Sequence, residues 1–164
     1  MEGITLRRFQ PGDEFAVSDL ICTTLKISNG KDYPPAFIEE SIRDHSPALI
    51  AARAKEGHFY VALDGEKIIG CGGITGYCGS TEESYLTSIF VLPEEQGKGV
   101  GSLIVNRLEA DDYFRRAWRT EVGSSLTAVR FYRKMGYEYK NGVAEADADG
   151  TVRLEKLNGR KTQN

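Results

Sequence analysis

The sequence predicts an α/β fold, with strands and helices mixed in one domain over residues 1–157 and a polar tail over 158–164. Three observations carry that reading. Two β-rich runs in "HFYVALDGEKIIGCGGIT" flank Asp64-Gly65, a pair suited to the positive φ values of a tight hairpin, so the runs pair antiparallel. A strand from Tyr85 to Leu92 stops at Pro93 and leads through closely spaced glycines into an apolar helical stripe. Residues at helical spacing also recur near both ends of the chain. At 164 residues, 40% of them hydrophobic, the chain can bury the core of one domain.

In chain order, Ile4 to Arg8 reads as a short strand stopped by Pro11 and Gly12. Asp13 then offers a side-chain oxygen as N-cap to a helix carrying Val17, Leu20, Ile21, Thr24 and Leu25, which ends near Ser28 to Gly30. "KDYPPAF" is a rigid aromatic connection, since each proline fixes its own φ and biases the residue before it away from helix. A second helix begins near Phe37, with Ile38 and Ile42 on one side and Glu39 and Glu40 solvated. The hairpin follows, then the Tyr85–Leu92 strand, in which Leu86, Ser88 and Phe90 alternate with Tyr85, Thr87, Ile89 and Val91.

After the glycines, Val100, Leu103, Ile104 and Leu108 form a helical stripe into which Arg107 and Asp111 intrude. "WRTEVG" is a short strand. Ser124 or Ser125 caps the next helix, whose Ala128, Phe131, Tyr132 and Met135 share a face and whose natural stop is Gly136. Tyr137 to Ala144 and Thr151 to Leu157 read as two last strands around Asp149-Gly150, and "NGRKTQN" as a tail that frays. There is no internal repeat.

A net charge of -3 argues against a protein whose main business is nucleic acid, which calls for a clustered basic surface. Cys22, Cys71 and Cys78 are odd in number and lack metal-ligand spacing, so neither a disulfide framework nor a metal site is expected, and a cytoplasmic home fits. No apolar run is long enough to cross a bilayer, and the N-terminus has no export signal. Cys71, in a strand, reads as a small buried filler. His45 and His58 carry no spacing signal and read as structural or surface residues, and Glu82 and Glu83 as solvated loop charges.

The stretch "EEQGKGVGS" sits between a Pro-stopped strand and a helix, which places the amides of Gly97 to Ser102 at a helix N-terminus. Those amides lack intrahelical partners and the helix dipole adds positive potential, so they can hold an anion, with Lys98 adding charge; a glycine-rich connection without a ligand is the other reading. A P-loop is excluded because no Lys-Ser or Lys-Thr follows the glycines. The dinucleotide fingerprint fits poorly, because Gly97, Gly99 and Gly101 are too closely spaced and too late in the chain.

Gln96-Gly97-Lys98-Gly99-Val100-Gly101, preceded by Val91-Leu92-Pro93, resembles the Q/R-x-x-G-x-G/A pyrophosphate motif of the GCN5-related N-acetyltransferase (GNAT) superfamily. Farther on, "SSLTAVRFYRKMGY" resembles that family's A-x-x-F-Y-x-x-x-G-F segment, and the resemblance runs from Ile4 to Leu157. It implies a central mixed, mostly antiparallel sheet flanked by helices, with two splayed strands forming a cleft for acetyl-CoA. Ile89, Phe90 and Val91 would contact the pantetheine arm, the amides of Gln96, Gly97, Lys98, Gly99, Val100, Gly101 and Ser102 the pyrophosphate, and the Ser125 hydroxyl the cofactor. Tyr132 would protonate the departing thiolate and the Val91 amide would face the developing oxyanion.

The same resemblance places Asp32, Tyr33 and Phe37 on the acceptor side. No acid stands on the motif strand, so either water held by Thr87, Ser88 or backbone removes the proton, or the amine arrives partly neutral. The implied activity is acetyl transfer from acetyl-CoA to a primary amine in a ternary complex without metal. The implied acceptor is a small molecule, with a protein amine as another candidate and a homodimer as a form many members take. The alternative is a noncatalytic acyl-CoA-binding or regulatory module of the same fold.

Overall fold

The computed structural model describes residues 3–159. Seven strands form one sheet: β1 (Ile4–Arg8), β2 (His58–Asp64), β3 (Lys67–Gly76), β4 (Glu83–Val91), β5 (Arg119–Ser124), β6 (Glu138–Tyr139) and β7 (Val152–Leu157), in the order β1-β2-β3-β4-β5-β7-β6. Every neighbouring pair is antiparallel except β4–β5, which is parallel. Among the described residues six α-helices connect and cover the strands: α1 (Asp13–Ile27), α2 (Pro35–Arg43), α3 (Pro47–Glu56), α4 (Val100–Glu109), α5 (Asp112–Arg115) and α6 (Val129–Lys134). This is the mixed, mostly antiparallel sheet that the sequence predicts.

Helix α1 buries Val17, Leu20, Ile21, Thr24 and Leu25, the expected stripe. Its N-cap is Gly12, not Asp13. The Asp13 carboxylate is occupied elsewhere, accepting from both terminal nitrogens of Arg7 at 2.7 and 3.1 Å and from the Gln10 amide at 2.8 Å, so it ties β1 to the helix start. Helix α2 begins at Pro35, two residues before Phe37, because a proline at the first helical position forfeits only an amide that has no helical partner. Helix α3 has no counterpart in the sequence reading; its Ser46 cap, which accepts from the Leu49 amide, and Pro47 at its first turn are its start signals. Only Ile50 of this helix is fully buried, so its apolar periodicity is faint.

The hairpin turns on Gly65-Glu66, one residue later than the Asp64-Gly65 pair, with Asp64 and Lys67 facing each other and Gly65 at φ 62°. Along β3, the glycines bring a helix close. A Cβ on Gly70 or Gly72 would lie 2.8 and 2.7 Å from Ile104 methyl carbons, so α4 rests directly on the β3 backbone. Val100, Ile104, Val105 and Leu108 of α4 are buried, whereas Leu103 is only half-buried; Arg107 lies over the Tyr60 ring at 5.3 Å.

Three further expectations are corrected. The strand drawn from Tyr137 to Ala144 shrinks to Glu138–Tyr139, because Asn141 and Gly142 adopt φ of 54° and 71° and turn the chain away. Neither Ser124 nor Ser125 caps the following helix by its side chain: the Ser124 hydroxyl donates to the Ser125 carbonyl, and a 3₁₀ turn over Leu126–Ala128 precedes α6. Glu83 is not a solvated loop charge; it opens β4 and pairs with Arg119 at 3.2 Å. Arg119 also bonds Glu155 and the buried Glu121, which takes Lys140 at 2.7 Å, so a buried charge network locks β5 to its neighbours.

Of the tail, Asn158 is held rather than frayed: its amide donates to the Trp118 carbonyl and its side chain to those of Phe114 and Ala117. Residues 160–164 lie outside the described residues. Among the described residues no helix is long and apolar enough to cross a membrane.

Asp111, which interrupts the α4 stripe, lies beyond that helix and caps α5. It is 6% exposed and accepts from the Tyr60 hydroxyl at 2.6 Å and the Tyr113 amide at 2.9 Å, with His58 Nδ1 at 2.7 Å. Burial pushes its carboxyl up, but these donors outweigh burial and hold it below the ordinary 3.8. Asp111→Ala therefore costs about 2–3 kcal/mol in urea unfolding at neutral pH, since it strands buried donors. A carboxyl lowered on folding contributes above its unfolded pKa and loses that contribution as pH falls through the folded one. The gap between wild type and variant should therefore narrow from about pH 5 toward pH 3.

Candidate active site

Strands β4 and β5 pair in parallel from Glu83↔Arg119 to Leu86↔Val122, and no farther. Past that point β4 changes course. On its other edge the register slips, because Cys71 faces Phe90 while Gly73 faces Thr87, so Ser88 and Ile89 together oppose Gly72. Ser88 takes φ 53°, the left-handed conformation of a bulge residue. The bulge twists β4 away from β5, and a cavity of about 640 Å³ opens between them.

The β4 edge along this gap lacks a strand partner, and its groups are only partly taken. The Val91 carbonyl accepts from the Gln96 side-chain Nε2 at 3.0 Å and from the Thr24 hydroxyl at 3.3 Å, while the next backbone amide, Leu92, donates the other way to the carbonyl of Ile69 in β3. A strand residue's N–H and C=O share an edge, so the Val91 N–H also faces the gap.

Beyond β4 the chain passes a short 3₁₀ turn, Pro93–Glu95, and enters α4. The N-cap is Gly99 at φ 86°, a conformation that a side chain resists, and no side chain caps the helix. The first bond back is Leu103 N–H to the Gly99 carbonyl, which leaves the amides of Val100, Gly101 and Ser102 without helical partners at the positive end of the dipole. Gly97, Gly99, Gly101 and Ser102 border the cavity. At Gly101 a Cβ would stand 3.2 Å from the Phe131 ring, so side-chain bulk there would press on α6.

Helix α6 ends in a doubly bonded glycine stop. Gly136, at φ 95°, donates its amide to the Arg133 carbonyl, and Tyr137 donates its own to the Tyr132 carbonyl. The Tyr132 ring meets Tyr137 and Phe131 edge-on, at 6.0 and 5.1 Å between centroids. Thus fixed, Tyr132 borders the cavity while 5% exposed, and its hydroxyl makes no hydrogen bond among the described residues. Burial, then the nearby Tyr85 and Cys71, raises its pKa, so it stays a protonated phenol at neutral pH. Cys71 is itself fully buried, and burial pushes its thiol up to about 12, in keeping with the filler role expected of it.

The opposite wall comes from the chain between α1 and β2. Tyr33 and Phe37 stack at 4.1 Å and 9°, and the Tyr33 hydroxyl donates to the Gly150 carbonyl at 2.6 Å while accepting from the Leu126 amide at 2.8 Å. His45 borders the cavity as well, edge-on to Phe90 at 5.5 Å. Its Nδ1 lies 2.6 Å from the Ser41 carbonyl, which can only accept, so Nδ1 carries the hydrogen and Nε2 keeps a lone pair. Burial, opposed by that hydrogen bond and helped by Arg53, lowers its pKa, leaving it neutral at pH 7.

The cavity thus gathers Ile89, Phe90, Val91, Gln96, Gly97, Gly99, Gly101, Ser102, Ser125, Tyr132, Tyr33, Phe37, Thr87 and Ser88 around one space. Three expected residues do not line it with their side chains. Lys98 turns outward to Glu95 at 3.4 Å, the Val100 side chain is buried in the core while its amide stands with the unpartnered ones at the α4 start, and Asp32 is exposed, accepting from Thr127 at 2.7 Å. His45, expected to be structural or at the surface, and Arg53, never singled out, are the additions. Arg53 lies on α3, so no motif signals it; the Ser46-Pro47 start would at least have drawn its helix.

A family model described as an acetyltransferase (GNAT) domain matches residues 55–139. Among solved structures, a GCN5-related N-acetyltransferase from Rhodopseudomonas palustris is 21% identical with TM-score 0.80, covering 96% of this chain and 97% of its own. The PaiA N-acetyltransferase of Thermoplasma acidophilum, solved in complex with coenzyme A, is 18% identical with TM-score 0.79, covering 94% and 98%. An acetyltransferase from Streptococcus agalactiae is 18% identical with TM-score 0.72, covering 96% and 99%. No curated protein sequence matches.

Tyr33→Phe should strand the Leu126 amide and the Gly150 carbonyl at once, lowering stability by about 1–3 kcal/mol. Amide exchange read by NMR should show Leu126 losing protection while the β2–β3 amides keep theirs.

Proposed function

This chain belongs to the GNAT acetyltransferase family, and on that footing we propose that it transfers an acetyl group from acetyl-CoA to a primary amine of a small molecule, within one acetyltransferase domain over residues 1–157. The observation that carries the reading is the uncapped start of α4, opening on a cavity whose other border is the unpaired edge of β4. A polyanion with a long amide-bearing arm suits both features together. The amides of Gly99 to Ser102 fit a pyrophosphate, and the free edge at Ile89 to Val91 fits the amides of pantetheine. Lys98 would add only long-range charge, being engaged with Glu95.

In the transfer, the amine nitrogen attacks the thioester carbonyl carbon, the carbon–sulfur bond breaks, and the thiolate leaves with a proton. The Val91 N–H suits the developing oxyanion. Tyr132, protonated and with no hydrogen-bond partner for its hydroxyl among the described residues, suits the role of acid to the thiolate. The amine must shed a proton. Thr87 and Ser88, whose hydroxyls lie 3.2 Å apart on the bulge, can hold a water for it, and the neutral Nε2 of His45 can receive it. A small acceptor suits a cavity of about 640 Å³ that it must share with the coenzyme's arm.

Thermal shift with acetyl-CoA and free-thiol release over an amine panel test the reading together. Stabilisation with turnover is expected; stabilisation with no turnover on any amine would support a noncatalytic acyl-CoA-binding module. Stabilisation by NAD or ATP in place of acetyl-CoA would sink both. Two variants sharpen the roles. Tyr132→Phe should lower kcat by about a hundredfold or more while leaving the acetyl-CoA KM near wild type. Gly101→Val should do the reverse, raising that KM more than it lowers the unfolding free energy, and equal losses would contradict the cradle.

A further inference from the structure

The cavity has an unusual charge character. Among the described residues that line it there is no aspartate or glutamate, and Arg53 is the one lysine or arginine. Arg53 also borders a smaller cavity of about 200 Å³, sharing Tyr85 and Thr87 with the main one, so its side chain stands at the partition between them. One arm of the half-buried Arg53 guanidinium is unsatisfied: Nη1 is buried with no hydrogen-bond partner, and the side chain has no carboxylate within ion-pair distance among the described residues. A guanidinium stays charged at any physiological pH, so a buried, unpaired Nη is costly unless something else completes it.

Its position along the cleft says what that partner is attached to. Strand β4 runs the length of the cavity. The α4 amides follow its C-terminal end at Val91, whereas Arg53 stands with Tyr85 and Thr87 beside its N-terminal half, about 13–20 Å upstream at the rise of an extended strand. On the acetyltransferase reading, from which this inference starts, the α4 end takes the coenzyme and the Arg53 end takes the acceptor. A polycationic acceptor in the main cavity would meet a cation there and no lining carboxylate, the nearest being Glu56 on the far side of the partition, in the smaller cavity. An acceptor bearing its own carboxylate would neutralise the guanidinium, in the planar two-bond geometry that arginine favours.

We propose that the acceptor is an amine that also carries a carboxylate, an amino acid or a close analogue, and that Arg53 receives that carboxylate while the amine is presented to the thioester beside Thr87 and Ser88. The proposal makes Arg53 a determinant of specificity, acting on the acceptor and not on acetyl-CoA.

The test compares amino acids with their own carboxamides as acceptors, with spermidine and phosphoethanolamine as further arms. The carboxamide is the less basic amine and more of it is neutral, so basicity alone favours the amide. The expected result is the opposite: a kcat/KM about tenfold or more higher for the acid. Arg53→Gln should erase that preference by raising the KM for the acid with the acetyl-CoA KM unchanged, and Arg53→Lys should restore part of it. Amides or spermidine used as well as acids, or a preference that survives in Arg53→Gln, would overturn the assignment, and phosphoethanolamine preferred over all amino acids would replace the carboxylate with a phosphate.

A binding measurement keeps the inference separate from the activity. Calorimetry on the CoA-loaded protein compares N-acetyl amino acids with N-acetyl amino amides. Tighter binding of the acids that disappears in Arg53→Gln upholds the site even if no amine turns over, in which case acetyl transfer alone fails; equal binding refutes it.

Discussion

The structure depends on one irregularity, the bulge at which Ser88 and Ile89 of β4 oppose the single Gly72 of β3. The parallel pairing of β4 with β5 ends at Leu86↔Val122, two residues before the bulge. With Ser88 in a left-handed conformation the strand swings off, and one side of it exchanges strand bonds for a cavity. A backbone edge that would be a liability on a sheet's exterior is here sheltered between two strands and offered to a ligand. The bulge also sets two hydroxyls, Thr87 and Ser88, where the gap begins.

What makes the gap a site is the placement of helices at its two ends. Helix α4 lies on β3 because Gly70 and Gly72 leave no side chain between them, and that close seat brings the uncapped start of the helix to the mouth of the cavity. Side chains of α2, α3 and the turns flanking α2 close the other end with aromatic faces, a neutral imidazole and a lone guanidinium. Tyr33 couples the two walls: one hydroxyl joins the turn before α2 to the loop ahead of β7 and to the segment that leads into α6. The packing that stabilises the fold therefore also holds the geometry of the cleft.

Much of this was legible in the sequence, and the gaps have physical causes. The Pro-stopped strand, the closely spaced glycines and the Phe131-Tyr132 stripe ending at Gly136 are local signals, and each lies at the cavity or forms its wall. Register is not local. Nothing in "SYLTSIFVLP" announces that Ser88 leaves the β region, since alternation looks regular through it. The strand drawn through Asn141 and Gly142 failed for the opposite reason: Asn-Gly is itself a local turn signal, and both residues take the positive φ that such a turn needs. Helix α3 went undrawn because it buries one residue fully, and with it went Arg53. Lys98 was given a role from its place among glycines, whereas its side chain follows the nearer charge of Glu95.

The central claim is that an acyl-CoA lies along β4 with its pyrophosphate at the start of α4. Amide chemical shifts followed by NMR during a titration with coenzyme A test it most directly. The account predicts the largest changes at Gly97 to Ser102 and at Ile89 to Val91, with the β1–β2 amides unmoved. Saturable changes confined to another surface, or none at those two stretches, would contradict it.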